Sequence, residues 1–364
     1  MVFMSILRRV VLLAIVICTA VIVAYVYSTL NPIVASVSQT ALLQIGDEEK
    51  IGISGLDVEY PDCQVSFINS QVFLSKGNKS VLVNRSEQSV FSFVRILALP
   101  TQQSVHGLQS WYLGFCSVFE VSNGEVWALY QEEFRPNESA SGAFAAQIGY
   151  AVSTDGGNSF VLRGPILSSD NMWNRDGRTI SGIGQPNGII HDGYLYLYFT
   201  NWDSGHDSIH LVRIQLSSES LSAEAWNGDS FIALSDPRIL PKGVTRPVVI
   251  NRDTPVSEGY TALASVSYNN ALETYIMGYE TACGFRYQQS ADLLHWTNEQ
   301  ELINFNPCKG GEPIGLEWRG YPSLVSFDEP NSSKTNRSVQ LVYACKLIGE
   351  ITHTMCIRTI TFAQ

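Results

Sequence analysis

Four short segments of the sequence decide the fold: EVWALYQ (125–131), YLYLYFT (194–200), ETYIMGY (273–279) and VQLVYAC (339–345). All four are rich in the aromatic and β-branched residues that strands favour. Each is preceded by an apolar run and a turn or loop, and each is followed by a third apolar run. No long segment shows the 3.6-residue periodicity of an amphipathic helix. The chain from about residue 45 onwards is therefore predicted to be all-β.

This three-strand pattern repeats along the chain. Its aromatic strands begin near residues 125, 194, 273 and 339, and the segment from about 50 to 98 supplies a weaker fifth copy. Antiparallel four-stranded sheets that repeat around an axis form a β-propeller. The repeat thus predicts a five-bladed β-propeller, and a β-sandwich is the alternative all-β architecture.

Two hairpin motifs sharpen this prediction. Residues 153–160 read STDGGNSF and residues 290–296 read SADLLHW. In such motifs the aspartate accepts hydrogen bonds from turn amides and the aromatic residue packs underneath. The first resembles the Asp-box of sialidase-like propellers. The second resembles an outer hairpin of the five-bladed glycoside hydrolases, the furanosidase, arabinanase and invertase-like group. This resemblance covers residues 105–362 as a pattern and implies hairpins between the third and fourth strands of a blade.

The resemblance also implies where substrate binds. Gly184-Gln-Pro186, Thr245-Arg-Pro247 and Gly320-Tyr-Pro322 each precede an apolar run. In the five-bladed enzymes such a turn opens the innermost strand and directs a side chain into the central cavity. We therefore expect the following residues to bind a carbohydrate, by polar contacts or by aromatic stacking: Gln185, Trp202, Asp207, Arg246 and Tyr321. The alternative for each is a purely structural contact.

Glycoside hydrolysis generally uses two carboxyl groups. In a propeller the ends of the second strands gather at one face, and here those ends carry Glu132, Asp203 and Glu280. We predict that these three carboxylates converge as the catalytic set. The alternative is that each one caps a loop or faces water.

One departure from the glycosidase pattern weakens the catalytic prediction. The resemblance implies an aspartate where the first inner strand opens, but residues 111–116, WYLGFC, contain no carboxylate. Asp62 takes this place if the segment 50–98 is the first blade. A propeller that binds a glycan or a protein without catalysis is the alternative function, and a structural membrane platform is a third. Neither a metal site nor a cofactor is predicted, although the channel of such a propeller is compatible with a bound cation.

The first residues predict a membrane anchor. Residues 10–27 contain no charged side chain and follow Arg8 and Arg9. As a helix this segment is about 27 Å long, close to the thickness of a bilayer core. Preceding arginines favour a cytoplasmic N-terminus. We predict a type II single-pass protein with a cytoplasmic segment 1–9, a transmembrane helix 10–27, a linker 28–44 and an extracytoplasmic propeller 45–364. A cleaved signal peptide is the alternative.

Cysteines and glycosylation sequons agree with export. Six of the seven cysteines lie outside the apolar segment, an even number that suits disulfides. Cys345 with Cys356 and Cys283 with Cys308 are the predicted pairs, and free buried cysteines are the alternative. Asn-X-Ser sequons, which predict a glycoprotein, occur at Asn78, Asn84, Asn137, Asn331 and Asn336.

Composition excludes several other classes. Of the 364 residues, 45% are hydrophobic and 16% are charged, and the net charge is −11. A disordered chain has far fewer apolar residues. A nucleic-acid partner is not expected, because the sequence lacks the basic surplus that neutralises phosphates. The sequence also lacks the short motifs of serine hydrolases, P-loop nucleotidases, zinc proteases and dinucleotide-binding enzymes.

Overall fold

The computed structural model describes residues 43–51, 53–54, 62–76, 79–87, 90–97, 104–105, 108–122, 124–135, 143–173, 179–204, 207–216, 221–249, 260–304, 318–346 and 354–362. Apart from one 3-10 turn at Trp202–Ser204, the regular structure of these residues is entirely β. In chain order the strands are β1 (Leu43–Ile45), β2 (Glu49–Ile51), β3 (Ile53–Ser54), β4 (Ser66–Ile68), β5 (Gln71–Lys76), β6 (Lys79–Glu87), β7 (Val90–Leu97), β8 (Ser104–Val105), β9 (Leu108–Ser122), β10 (Glu125–Arg135), β11 (Phe144–Ser153), β12 (Val161–Ser169), β13 (Ile180–His191), β14 (Tyr194–Asn201), β15 (Ser208–Gln215), β16 (Ser222–Trp226), β17 (Phe231–Ala233), β18 (Ile239–Leu240), β19 (Thr261–Asn269), β20 (Thr274–Thr281), β21 (Gly284–Ser290), β22 (Thr297–Asn304), β23 (Trp318–Val325), β24 (Lys334–Thr335), β25 (Ser338–Lys346) and β26 (Thr354–Phe362).

These strands form five blades, each an antiparallel sheet in which neighbours along the chain pair with one another. Blade one is β4–β7, blade two is β9–β12, blade three is β13–β16 and blade four is β19–β22, and a short parallel pairing of β11 with β13 joins blades two and three into one sheet. Blade five has β23, β25 and β26 from the end of the chain, and β1 and β2 pair with the outer edge of β26. The prediction of an all-β propeller is confirmed. The segment from 50 to 98, predicted as a weak copy of the repeat, contains blade one.

Strands from the two ends of the described chain close the ring. Leu43 pairs with Phe362, and Glu49 pairs with Ile357. The side chain of Glu48, between β1 and β2, accepts hydrogen bonds from Arg319 of β23 (Nη2 to Oε2 3.1 Å) and from the Tyr343 hydroxyl of β25. Blade five is therefore held together by an ion-paired carboxylate as well as by its backbone ladder.

The first strands of the blades, β4, β9, β13, β19 and β23, are the inner strands, and hydrogen bonds link each one to the next. In four cases the backbone N–H of one inner strand donates to a side chain of the preceding one. The donor and acceptor pairs are Gly188 to Ser117 (3.1 Å), Val266 to Asn187 (3.0 Å), Leu324 to Ser265 (2.9 Å) and Val65 to Ser323 (2.7 Å). Because the last pair joins blade five to blade one, the blades form a closed ring around a small cavity between the inner strands, whose exposed surface is mainly polar.

These contacts set the alignment of the five blades. In blades three, four and five the accepting residue directly precedes the donor of its own strand, and Gln64 has the same position before the donor Val65 in blade one. We call these four acceptors and Gln64 the inner-ring residues: Gln64, Ser117, Asn187, Ser265 and Ser323. The residues two places earlier are called the entry positions: Asp62, Phe115, Gln185, Leu263 and Tyr321.

Apolar side chains fill the space between neighbouring blades. The alternation of buried residues along a strand gives each blade two apolar faces, and each face packs on the next blade. Phe73, Leu82 and Phe115 belong to one such layer between blades one and two. Tyr198 and Met277 belong to another between blades three and four. Aromatic strands therefore serve as the inter-blade core, as the sequence pattern predicts.

Both hairpin motifs lie between the third and fourth strands of a blade. Asp155 accepts hydrogen bonds from the backbone N–H of Ser159 (2.8 Å) and from its hydroxyl (2.6 Å). These contacts lower the pKa of Asp155 to about 2. In the second motif Asp292 accepts hydrogen bonds from the N–H groups of Leu294 and His295, at 2.9 Å each. The hairpins are thus fold elements, as their resemblance implies.

Two disulfides are fully described. Cys345–Cys356, predicted from the sequence, joins β25 to β26, and Cys63–Cys116, which was not predicted, joins the inner strands of blades one and two. Cys283 is also disulfide-bonded, but Cys308, its predicted partner, lies outside the described residues. Within the described part of the chain, no helix is long and apolar enough to cross a membrane. The predicted transmembrane segment 10–27 lies outside that part.

Candidate active site

The entry positions bring unusual backbone to one end of the inner strands. Gln185, Leu263 and Tyr321 have φ values of 53°, 61° and 58°, the left-handed region that non-glycine residues rarely adopt. Each lies at a register shift between the first and second strands of its blade. Such a bulge re-aims a side chain, and strained backbone of this kind clusters at functional sites. The side chains of Gln185 and Tyr321 are partly exposed.

A side chain from the preceding blade holds each strained residue. The N–H of Gln185 donates to Gln131 Oε1 (2.7 Å), and the N–H of Leu263 donates to Thr200 Oγ1 (3.3 Å). The N–H of Tyr321 donates to Glu280 Oε2 (3.3 Å). Gln131, Thr200 and Glu280 therefore occupy equivalent places near the ends of second strands, and the carboxylate is present only in blade four among these three.

Glu280 has the properties of a proton donor at neutral pH. Burial raises the pKa of Glu280 to about 7, although the N–H of Tyr321 and the hydroxyl of Tyr260 donate hydrogen bonds that oppose this increase. Its side chain remains partly exposed. A carboxyl group with a pKa near 7 is well matched to general acid catalysis at that pH. Glu280 is therefore the best-placed acid among the predicted residues.

A pair of acidic residues, Glu133 and Asp62, lies between blades one and two. Glu133 is only 8% exposed, and burial raises its pKa to about 7, an increase to which the charge of Asp62 contributes. The amide of Gln131 donates to Glu133 Oε1 (2.7 Å), and Arg135 also favours the charged form. Asp62, at the entry position of blade one, is partly exposed. The charge of Asp62 in blade one thus disfavours ionisation of Glu133 in the adjacent blade.

Tyrosines connect these two acidic groups. Tyr112, whose hydroxyl lies 2.5 Å from Ser75 Oγ, has a pKa raised by burial and by Asp62, Glu133 and Tyr321. Tyr260 has a pKa raised by burial and by the charges of Glu280, Tyr321 and Asp207. Tyr321 interacts electrostatically with both tyrosines. Side chains of blades one, two, four and five therefore share one electrostatic region at the entry positions.

Of the three predicted catalytic carboxylates, Glu132 and Asp203 make contacts of a different kind. Glu132 Oε2 accepts from Gln147 Nε2 (2.9 Å) on the neighbouring strand β11. Asp203 accepts from Ser169 Oγ (2.5 Å) and from the backbone N–H of Gly182 (3.0 Å), so it ties the end of β12 to the start of β13. Neither is linked to Glu280 by a contact that the structure describes.

The predicted binding residues also divide into two groups. Gln185, Tyr321 and Asp207 lie at the entry positions or interact with Tyr260, and Gln185 Oε1 accepts from Thr200 Oγ1 (2.6 Å). Trp202 is 6% exposed and packs edge-on against Phe144, which is the structural alternative.

Arg246 does not open an inner strand. Its N–H donates to Trp226 O (3.1 Å) in the fourth strand of blade three, whereas the inner strand of blade four begins at Thr261. The Arg246 side chain is exposed, and its charge helps burial to lower the pKa of His210 to about 3.

Sequence reasoning missed Glu133, Tyr112 and Tyr260, and it treated Asp62 only as a substitute. Glu133 follows Glu132 directly, so only the register of β10 distinguishes them. Tyr260 precedes β19 directly, which is a signal that could have been used. Among the described residues, no set of three His, Cys, Asp or Glu side chains is arranged to hold a metal ion.

Solved structures share this fold at low sequence identity. The α-L-arabinofuranosidase of Lactobacillus brevis is 11% identical, with 84% of this chain and 92% of that chain covered and a TM-score of 0.52. The α-L-arabinofuranosidase of Podospora anserina, solved in complex with cellotriose, is 11% identical, with 89% and 98% covered and a TM-score of 0.51.

The Cellvibrio cellulosa α-L-arabinanase, solved with arabinohexaose, is also 11% identical, with 82% and 90% covered and a TM-score of 0.50. No family model matches the sequence, and no curated protein matches it. The chain thus has the fold of the propeller glycoside hydrolases, which confirms the resemblance inferred from the hairpins.

Proposed function

We propose that the protein is a glycoside hydrolase in which Glu280 is the general acid and Asp62 is the general base or nucleophile. The observation that carries this proposal is the state of Glu280. Its carboxyl group is partly exposed near an entry position, is held by Tyr321 and has a pKa of about 7. It is therefore about half protonated at pH 7 and able to donate to a departing glycosidic oxygen.

Asp62 suits the second role for two reasons. It lies at the entry position of blade one, where the five-bladed glycosidases carry an aspartate. We expect a sugar ring to bind between Asp62 and Glu280, because blades one and four are not adjacent in the ring. Such pairs operate with carboxyl groups roughly 5 to 9.5 Å apart.

Glu133 acts through Asp62 in this proposal. Its burial makes it the less accessible of the two glutamates with a raised pKa. The charge of Asp62 contributes to the raised pKa of Glu133, so Glu133 is mainly neutral below pH 7 and leaves Asp62 as the charged member of the pair. We therefore assign Glu133 as a positioning residue and not as the acid.

The proposed substrate is a carbohydrate that enters at the entry positions and contacts Gln185, Tyr321 and Asp207. Support comes from the structures of the same fold that were solved with arabinohexaose and cellotriose. A partly exposed tyrosine offers an aromatic surface for the C–H face of a sugar, and an amide offers hydrogen bonds to its hydroxyls.

A propeller that binds glycans without hydrolysing them is the second candidate. It is favoured by the chemistry of the entry positions, because Gln185 and Leu263 stand in blades three and four at the positions that correspond to Asp62. Blade three therefore contributes an amide to the site where blade one contributes a carboxylate. Stacking on Tyr321 and hydrogen bonds to Gln185 are sufficient for binding alone.

The two candidates separate in one experiment. The full-length chain is assayed on a panel of arabinose-, xylose-, fructose- and glucose-containing oligosaccharides, beside Glu280→Gln, Asp62→Asn and the control Glu132→Gln. We expect hydrolysis by the wild type, a loss of about 10²- to 10⁴-fold in kcat for the first two variants, and little change for the control.

Equal activity in wild type and Glu280→Gln rejects the assigned acid. If calorimetry detects binding of an oligosaccharide and the assay detects no product, the result supports the second candidate, a propeller that binds glycans without hydrolysing them. The control is informative because Glu132 is a buried glutamate next to Glu133 whose carboxylate accepts a hydrogen bond from Gln147.

We also propose that the propeller is extracytoplasmic and anchored through residues 10–27. Support comes from the apolar sequence after Arg8 and Arg9 and from the disulfides, which persist in oxidising compartments. We expect the full-length chain to remain with membranes after an alkaline carbonate wash and to be protected from protease in intact vesicles of the secretory compartment. Release by the wash contradicts the anchor.

A further inference from the structure

We propose that the Cys63–Cys116 disulfide is a positioning element of the active site, which fixes the Asp62 carboxylate in its place relative to Glu133. This inference rests on the proposed function. It assigns to a disulfide within the propeller a role in the reaction that goes beyond holding the chain together.

The Cys63–Cys116 disulfide lies next to the entry position of blade one. Cys63 directly follows Asp62, and it directly precedes the inner-ring residue Gln64. Cys116 directly precedes the inner-ring residue Ser117. The disulfide therefore joins equivalent positions of two adjacent inner strands, one residue away from an entry position on each strand, and both cysteines are only 1% exposed.

The inner strand of blade one is short and does not include Asp62. β4 contains three residues and begins only at Ser66, whereas β9 contains fifteen. Asp62 thus precedes the ladder of its own blade. The N–H of Asp62 donates to Ser75 O (2.9 Å), and the N–H of Val65 donates to Ser323 Oγ (2.7 Å). The disulfide adds a covalent tie between this short segment and the longest strand of the propeller.

Blades three and five have a proline after their entry positions, and blade one does not. The residue after the entry position is Pro186 in blade three and Pro322 in blade five. Proline fixes its own φ and restricts the residue before it, so these two entry positions are rigidified locally. Blade one has no proline there and has Cys63 instead. A covalent link to the next blade takes over the constraint that proline supplies elsewhere.

The inference predicts that loss of this bond affects the reaction through Asp62. A displacement of a catalytic group by about 1 Å costs about 10²-fold in rate. If Asp62 moves away from Glu133, its charge raises the pKa of Glu133 less. Loss of the disulfide therefore lowers kcat more than it changes KM, because it displaces a catalytic group and leaves the other substrate contacts in place.

The test compares two double variants of the full-length chain. Cys63→Ala/Cys116→Ala removes the proposed positioning bond, and Cys345→Ala/Cys356→Ala removes the disulfide of the β25–β26 hairpin as a matched control. Both are assayed below their melting temperatures, with circular dichroism to establish folding. We expect the first variant to lose about 10- to 100-fold in kcat, with KM less affected. The control is expected to keep its kcat within about twofold, because its bond lies within one hairpin.

Three results overturn the inference. A wild-type kcat in the first variant, or a loss that falls on KM and not on kcat, does so directly. Equal losses in both double variants show that the two bonds act only through stability. An inactive wild type refutes the proposed function and removes the basis of the inference with it, which distinguishes that failure from the first two. If Cys63→Ala/Cys116→Ala does not fold, Cys63→Val/Cys116→Ala takes its place, because a larger apolar side chain fills the buried site better.

Discussion

The backbone N–H of Tyr321 donates a hydrogen bond to Glu280 Oε2 over 3.3 Å, so blade five fixes a carboxyl group of blade four. Tyr321 is itself in the left-handed region, with a φ of 58°. Gln131 makes the equivalent contact with Gln185 through an amide oxygen. The proposed acid is therefore also a clamp on strained backbone, and its position is set by the joint between two blades and not by a flexible loop.

The hydroxyl of Tyr260 is expected to tune the proposed acid. It donates a hydrogen bond that lowers the pKa of Glu280 from the value that burial alone imposes. In Tyr260→Phe the pKa of Glu280 therefore rises, and the alkaline limb of kcat against pH moves upward by roughly half a unit to one unit. A pH–rate profile from pH 4 to 9 measures the shift.

Tyr198→Phe is the control for this variant, because Tyr198 is a buried tyrosine whose hydroxyl donates to Leu293 O (2.5 Å) outside the site. An alkaline limb that moves equally in both variants contradicts a specific role for Tyr260.

Glu133 is expected to make stability depend on pH. Burial raises its pKa from 4.5 to about 7, so the folded state binds this proton more tightly than the unfolded chain does. The free energy of unfolding consequently falls as pH rises from about 4.5 to 7, by as much as about 3 kcal/mol. Glu133→Gln removes the titrating group, and its stability should decrease less over this range. Urea denaturation at pH 5 and pH 8 measures the difference.

Glu280 titrates over the same interval, so the Glu133→Gln variant retains part of the decrease in stability that the wild type shows. The expectation fails if wild type and Glu133→Gln lose the same stability between the two pH values.

Glu48 is expected to stabilise the closed ring. Burial raises the pKa of Glu48, but the Tyr343 hydroxyl and the charges of Arg319 and Arg358 outweigh it and hold the pKa below the ordinary value. The stabilisation is therefore present above pH 4.5 and is lost as pH falls through the folded-state pKa. Glu48→Gln should lower the free energy of unfolding at pH 7 by about 1 to 3 kcal/mol, as measured by denaturant titration.

Glu224→Gln provides the comparison. Glu224 pairs with Arg213 (2.6 Å) within blade three, with both side chains about a quarter exposed. Such a pair typically contributes about 0 to 1 kcal/mol. Equal costs for the two variants indicate that the position of Glu48 at the ring closure gives it no special weight.

The two described disulfides should differ in their contribution to stability. Their sequence separations are 53 for Cys63–Cys116 and 11 for Cys345–Cys356. From loop-closure entropy alone, removal costs about 4 kcal/mol for the first and about 3 kcal/mol for the second. Denaturant titration of the two double alanine variants measures both costs. A larger loss for the hairpin bond contradicts this ordering.

The blades were predictable because their signals are local. Strands alternate with a period of two, hairpins carry turn residues, and the motifs around Asp155 and Asp292 close on their own backbone. None of these features needs information from a distant part of the chain. Blade one was the least distinct, because its inner strand β4 has only three residues.

The site was less predictable because it depends on register. Successive side chains point to opposite faces of a strand, so an error of one residue exchanges Glu132 for Glu133. Register shifts after Leu129 and after Glu133 change the count along β10, and no sequence pattern marks them. Asp203 follows β14 in the sequence, but a 3-10 turn directs its carboxylate back to Ser169 and Gly182.

Long-range contacts account for the rest. Arg246 was expected at the start of an inner strand because Thr245-Arg-Pro247 looks like the turns at Gln185 and Tyr321. The structure instead places its backbone against Trp226, and an inner strand without this motif begins at Thr261. The contact of Glu48 with Arg319 joins residues at opposite ends of the propeller sequence, a relationship that local patterns do not contain.

The pairing of β1 with β26 has a consequence for the order of events during synthesis. The ribosome releases residues 43–51 long before residues 354–362, yet these segments belong to one sheet. Blades one to four each consist of strands that follow one another, and they are able to form as the chain emerges. The N-terminal strands must wait with open edges, which are prone to pairing with other chains. Completion of the ring therefore waits until residues 354–362 have left the ribosome, and the interval before it is when the nascent protein is most vulnerable to aggregation.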